Sequence, residues 1–395
     1  MKNNRTFLEK LLDGAEVKWK PLGKVTDIKT GQSVSKNIIA QNPGIYPVIN
    51  SGREPLGFIN EWNTENDPIG ITTRGAGVGS ITWQEGKYFR GNLNYSVTIK
   101  SEYELNVRFL YHILLHFQKE IHNLCSFTGI PALNASELKK LEIPIPPLPV
   151  QTEIVKILDA LTALTSELTS ELTLRRKQYE YYLDNLLSKE ELGKIGFEWK
   201  CLKDICDYVD FRGKTPKKTE SGIFLVTAKN IKKGFIDYNA SKEFVSESDY
   251  IEIMRRGLPR IGDVLITTEA PCGNVAQIDK EDIALAQRVI KYRSSNENIL
   301  DNTFLKFMLL SKEFQVNLIK LSTGGTVKGI KGSTLHKMKI KIPPIDEQKR
   351  IVSILEKFEI LTNSITEGLP LAIEQSQKRY EYYRELLLSF NGSNQ

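Results

Sequence analysis

Cysteine is scarce in this chain, four among 395 residues, and Cys125, Cys201, Cys206 and Cys272 have neither CxxC spacing nor the density of a disulfide framework. Reduced, partly buried thiols are the expectation. No run approaches the ~18 apolar residues of a membrane span, and Met1 to Asp13 lacks the apolar core of a signal peptide. A cytoplasmic protein with no membrane partner is expected. The phosphate loop GxxxxGK followed by Ser or Thr is missing, and so is the Asn-Pro-Pro-aromatic tetrapeptide of an amino-methyltransferase. Charge of one sign is also modest. The 54 Lys plus Arg against 48 Asp plus Glu leave a net +6, compatible with a nucleic-acid partner but too mild to demand one.

What the chain does have is a duplicate of itself. Pro147-Leu148-Pro149 with Gln151, Ile154 and Val155 returns as Pro344-Ile345-Asp346 with Gln348, Ile351 and Val352. Lys177-Gln178-Tyr179-Glu180-Tyr181-Tyr182 returns as Lys378-Arg379-Tyr380-Glu381-Tyr382-Tyr383, and Trp19-Lys20-Pro21-Leu22 as Trp199-Lys200-Cys201-Leu202. The repeat is domain-sized, far longer than the units of solenoids or propellers.

Each half reads as a mixed segment, a Pro-rich stop and a long helix. Tyr46 to Ile49, Ile69 to Thr73, Val264 to Thr268 and Arg288 to Tyr292 are β-branched or aromatic runs broken by turn residues, hence short strands. Arg108 to Leu124 and Phe304 to Leu321 read as helices, which makes the class α+β. Pro144, Pro146, Pro147 and Pro149, then Pro343 and Pro344, forbid helix upstream and suit a first helical turn. Beyond them Ile157, Leu161, Leu164 and Leu168, and in the copy Ile354, Phe358, Leu361 and Ile365, form a narrow apolar stripe that wants a partner helix. The expected architecture is two pseudo-repeated α/β domains, residues 1–147 and 193–344, joined by two long antiparallel helices that form a coiled-coil spacer, residues 148–192 and 345–395.

These repeated motifs, with the tandem Thr165-Ser166-Glu167-Leu168 and Thr169-Ser170-Glu171-Leu172, resemble the specificity subunit of type I restriction-modification systems. The resemblance covers essentially the whole chain. It implies two target-recognition domains that read a bipartite, asymmetric site in double-stranded DNA. It implies two methyltransferase subunits and, in the full complex, restriction subunits as partners. No catalysis by this chain follows. No cofactor is expected on this chain, S-adenosylmethionine, ATP and Mg²⁺ being expected on the partner subunits.

The candidate DNA contacts are polar loops. In the first domain Gln32, Ser33, Lys36, Asn50, Ser51, Arg53 and Arg74 supply amides, hydroxyls and guanidinium groups suited to base edges. In the second, Arg212, Lys214, Thr215, Lys217, Lys218, Lys229, Asn230, Lys328 and Lys331 put cations and amides where phosphates could lie. Solvated surface turns are the competing reading of each. The tyrosines Tyr179, Tyr181, Tyr182, Tyr380, Tyr382 and Tyr383 are too aromatic for a solvated face and suit either a partner interface or helix-to-helix packing.

Other motifs carry less. Gly75 to Gly79 lacks GxGxxG spacing and reads as a tight turn. Asp67 and Glu85 could hold Mg²⁺ in a nuclease with Lys87 positioning water, but such a pattern arises easily by chance in a chain with 26% charged residues; His112, His116, His122 and Cys125 could share a metal, but surface or packing roles are the favoured reading. A stand-alone nuclease or methyltransferase, and a coiled-coil scaffold binding proteins at its ends, are the alternative functions.

Overall fold

The computed structural model describes residues 6–52, 54–211, 217–364 and 366–390. The chain divides into two compact units, Met1–Thr169 with Ala372–Gln395, and Ser170–Leu371. The division differs from the four segments expected, because each unit takes half of the helical sequence as part of its own core.

The two units repeat one topology. In the first, a four-stranded antiparallel sheet runs in the order Thr26–Thr30, Asn94–Ile99, Ile69–Thr72, Ile81–Trp83. In the second, Cys206–Asp210, Val289–Ser294, Val264–Thr267 and Val275–Gln277 follow the same order. A second sheet accompanies each, three-stranded in the first unit and four-stranded in the second, with a parallel pair at its edge, Pro43–Ile49 with Phe89–Arg90 and Ile223–Val226 with Ile283–Leu285. All four strands expected from sequence are present within a few residues. The two expected helices each break once, into Val107–His116 and Gln118–Asn123, and into Asn302–Leu310 and Lys312–Leu321.

The repeated openings close each unit. Lys18–Pro21 pairs antiparallel with Glu142–Ile145, and Glu198–Cys201 with Lys339–Ile342, so the opening motif of each unit is tied to the strand that leads into its Pro-rich stop. Leu22 and Leu202, last in the opening motif, are fully buried, and their backbone N–H groups donate to Leu141 and Met338.

The repeated glutamines bolt the next helix on. Gln151 is completely buried; its Oε1 accepts from the N–H of Asn106 at 2.8 Å, and its Nε2 donates to the carbonyls of Glu104 and Pro146. Gln348 repeats this with Asp301 N–H at 3.0 Å and the carbonyls of Ile299 and Pro343. Asn106 and Asp301 are N-caps, whose own side chains accept from Phe109 and Phe304 N–H. One side chain thus joins a helix start, a helix cap and the Pro-rich stop.

Leu148–Leu186 is a single helix of 39 residues, about 58 Å at 1.5 Å per residue. Ile154 and Leu158 at one end and Leu183 at the other, with Leu187 just beyond it, are buried, whereas Leu164 between them is 38% exposed. The apolar stripe is therefore thinner in its middle than its spacing suggests. Packing is antiparallel within each unit. In the first, Thr165 Oγ1 lies 2.8 Å from Ser376 Oγ, and Ile154 and Leu158 share a core with Leu387 and Leu388. In the second, Tyr179 meets Glu359, and Leu183 and Leu187 share a core with Ile351 and Leu355.

The return region is not one long helix but two, Ile345–Asn363 and Leu369–Leu388. Gly368 and Pro370 are the cause. A Cβ on Gly368 would lie 2.4 Å from the Ile360 carbonyl oxygen, and Pro370 has no N–H to give an upstream carbonyl. Ser364 Oγ satisfies Thr366 and Glu367 N–H in the break. Ile365 lies outside the described residues.

Candidate nucleic-acid interface

In the first unit the candidates gather at one end of the four-stranded sheet. Thr30 pairs with Tyr95, so the chain leaves the strand beside the turn at residues 91–94, where Gln32 bridges Gly91. Gly31 is required there, since a Cβ would stand 2.2 Å from the Arg90 carbonyl oxygen. Thr73 N–H donates to Leu93, and Arg74 bridges Ala132 of the loop 126–132. Gln32, Ser33, Ser51 and Arg74 are exposed there or in the adjoining loops. Lys36 is exposed too, at the first position of the short helix Lys36–Gln41. Asn50 is a correction. It is only 8% exposed, and its Oδ1 accepts from Leu93 N–H, so it builds the turn instead of facing outward.

The second unit repeats this end with different side chains. Asp210 pairs with Ile290, Thr268 N–H donates to the Arg288 carbonyl, and Glu269 bridges Gly329 of the loop 323–329. Lys328 and Lys331 are exposed on and beside that loop. A cleft of about 440 Å³ opens here, lined among others by Thr268, Glu269, Arg288, Thr323 and Lys331. Lys217 and Lys229 are exposed elsewhere on the unit, and Lys218 is exposed but paired with Glu243 at 2.9 Å. Asn230 is a second correction. It is fully buried, with Oδ1 accepting from Thr227 and Nδ2 donating to the Asp237 and Ser241 carbonyls, which leaves no amide edge for DNA. Arg53, Arg212, Lys214 and Thr215 lie outside the described residues.

The tyrosine repeats split by face. Tyr179 is half-buried, its OH donating to Glu359, whose other oxygen is 2.6 Å from Lys306 Nζ, and Tyr182 stacks on Phe358. Burial, then the neighbouring Glu359, hold the Tyr179 phenol well above its usual value. Tyr380 is the counterpart in the first unit. It packs on His112, whose Nε2 lies 2.8 Å from Asp159. These three rings join helices and do not face outward as partner contacts. Tyr181, Tyr382 and Tyr383 remain exposed, at 64%, 63% and 36%.

The competing metal readings meet occupied side chains. Asp67 accepts from Thr98 Oγ1 at 2.8 Å, Glu85 from Trp83 Nε1 at 2.9 Å, and Lys87 lies over the Trp62 ring. Among the described residues no three His, Cys, Asp or Glu side chains are grouped to hold a metal. No described helix is long and apolar enough to cross a membrane. Gly75 to Gly79 is a turn, with Val78 N–H donating to Gly75. The cysteines are free, and burial chiefly pushes the Cys206 thiol up to about 12, which keeps it protonated.

Two copies of one α+β unit, each exposing its own polar loops at the same sheet end, belong with proteins that read rather than react. The family profile of the type I restriction modification DNA specificity domain matches residues 15–174 and again 194–375, and the chain belongs to that family of non-catalytic specificity subunits. Among its relatives is a putative type I restriction enzyme specificity subunit of Haemophilus influenzae, 39% identical, covering 99% of this chain and 100% of the relative. The EcoR124I/EcoR124II specificity subunit of Escherichia coli is 34% identical over 98% of this chain and 97% of its own length. The crystal structure of the S subunit from M. genitalium has the same fold, with a TM-score of 0.63 at 18% identity, covering 96% of this chain and 98% of that one.

Proposed function

We propose that this chain reads a bipartite, asymmetric DNA site, one half per unit, and so directs partner adenine methyltransferase and restriction subunits in the cytoplasm. The observation that carries the reading is that one sheet end exposes unlike side chains in the two units. Gln32, Ser51 and Arg74 stand there in the first, Glu269, Arg288 and Lys331 in the second. Like backbones with unlike donors and acceptors recognise different base edges. Exposed Tyr181, Tyr382 and Tyr383 give two methyltransferase subunits aromatic ground to dock on. S-adenosylmethionine, ATP and Mg²⁺ are held by the partners.

The test exchanges residues 1–147 for the corresponding segment of a relative, in a host carrying the methyltransferase partner, and sequences the modified sites. One half of the motif is expected to change while the other stays. Changes in both halves would overturn the assignment of one half per unit. The isolated chain with S-adenosylmethionine and DNA is expected to transfer no methyl group.

A further inference from the structure

A guanidinium outside the loops singled out by sequence stands at the sheet end of the second unit. Arg288 has φ of 69°, in the left-handed region that glycine adopts freely and arginine does not. Its side chain is 56% exposed, so core packing does not account for an arginine at a strained position. Arg288 Nε lies 3.2 Å from Glu269 Oε2.

The repeat shows what is unusual about this pair. Thr73 and Thr268 make the same backbone bonds, Thr73 N–H to Leu93 and Thr268 N–H to Arg288. Arg74 and Glu269 follow them and make the same bridge to the neighbouring loop. The second unit therefore has a carboxylate where the first has a guanidinium. It has a guanidinium where the first has Leu93, one strand over, a shift of about 4.8 Å. A lone exposed ion pair contributes little to stability, and glycine would satisfy the backbone better. A function for the arginine accounts for both facts.

We propose that Arg288 is a specificity-determining residue of the second unit, reading the O6 and N7 acceptors of a guanine, with Glu269 as its positioning residue. The proposal rests on the DNA-reading role argued above. Guanidinium is planar with five donors. A carboxylate held at Nε orients the plane and leaves the opposite edge, two parallel N–H donors, to match the guanine edge in the major groove. Holding the rotamer beforehand lowers the ordering cost of binding. Lys331, exposed in the same cleft, suits an adjacent phosphate.

The test uses Arg288→Gly in the complete complex, because the backbone there favours glycine and the variant should fold at least as stably as the parent. Sequencing of modified sites is expected to show an unchanged first half-site. One G·C position of the second half-site should lose discrimination by about tenfold or more. Glu269→Ala should relax the same position to a smaller extent. Glu269→Gln keeps an oxygen beside Nε without the charge and should restore part of the discrimination that Glu269→Ala loses, which a merely structural role would not predict. An equally strict motif in Arg288→Gly, or a parent second half-site with no G·C pair, overturns the proposal and leaves the DNA-reading role standing. Absence of any sequence-directed modification by the parent complex would overturn both.

Discussion

His112 illustrates what one buried side chain asks of its surroundings. Burial holds the imidazole below its ordinary value even though Asp159 pulls the other way, since the ring is 1% exposed and the carboxylate 36%. The neutral ring donates from Nε2 to Asp159, leaving Nδ1 to accept from Tyr380, 3.4 Å away. The sign of the pH effect follows. The unfolded chain takes up a proton near pH 6.5 and the folded chain only at lower pH, so acid favours unfolding. Stability from this site is present above about pH 6.5 and is lost as pH falls below it through the folded value. Thermal unfolding measured from pH 8 to pH 5 should therefore show a decline that is shallower in His112→Gln. Equal slopes in the two proteins would refute this account. In the sequence, packing was the favoured reading of His112 over a shared metal; Asp159, 47 residues away, is the partner that no local pattern named.

Elements are joined here by few, fully used polar side chains. Gln348 carries three hydrogen bonds inside the second unit, and Leu at this position would leave the Asp301 N–H and the Ile299 and Pro343 carbonyls without these partners. We expect Gln348→Leu to cost about 3 kcal/mol, read from urea unfolding. A change within 0.5 kcal/mol, the ordinary range of surface substitutions, would show that the clamp is not needed. The repeated Pro-Pro-x-x-x-Gln was plain in the sequence, but its purpose was not. Glutamine at that spacing would read equally well as a solvated helix residue until Asp301 is brought against it. The break between Asn363 and Leu369 was not expected, because the apolar stripe on either side argued for continuity and outweighed Gly368 and Pro370.

For the whole molecule, the copies are not in strict step. Gln151 to Gln348 span 197 positions and Tyr179 to Tyr380 span 201, a difference of four, the length of one Thr-Ser-Glu-Leu quartet. None of the residues of those quartets is buried. An added quartet turns the helix by close to one full turn and so keeps its faces roughly in line. Inserting Thr-Ser-Glu-Leu after Leu172 lengthens the helix by ~6 Å, and at ~3.4 Å per base pair the modified site should keep both halves and gain one or two base pairs between them. An unchanged spacer with full activity, read from modified sites, would show that this helix does not measure DNA.

Sequence alone determined the twofold plan, four of the strands, the Pro-rich stops and the long helix, because repetition, periodicity and backbone restriction are properties of neighbouring residues. It marked polar loops as the reading surface but could not sort them. Asn230 and Lys229 are adjacent, yet one is fully buried and the other exposed. Tyr181 and Tyr182 are adjacent too, yet one is open to solvent and the other stacks on Phe358. Tertiary structure decided these, and it alone brought Glu269 to Arg288. Burial and hydrogen-bond partnership depend on which distant segments meet, and no local pattern in the chain encodes that meeting.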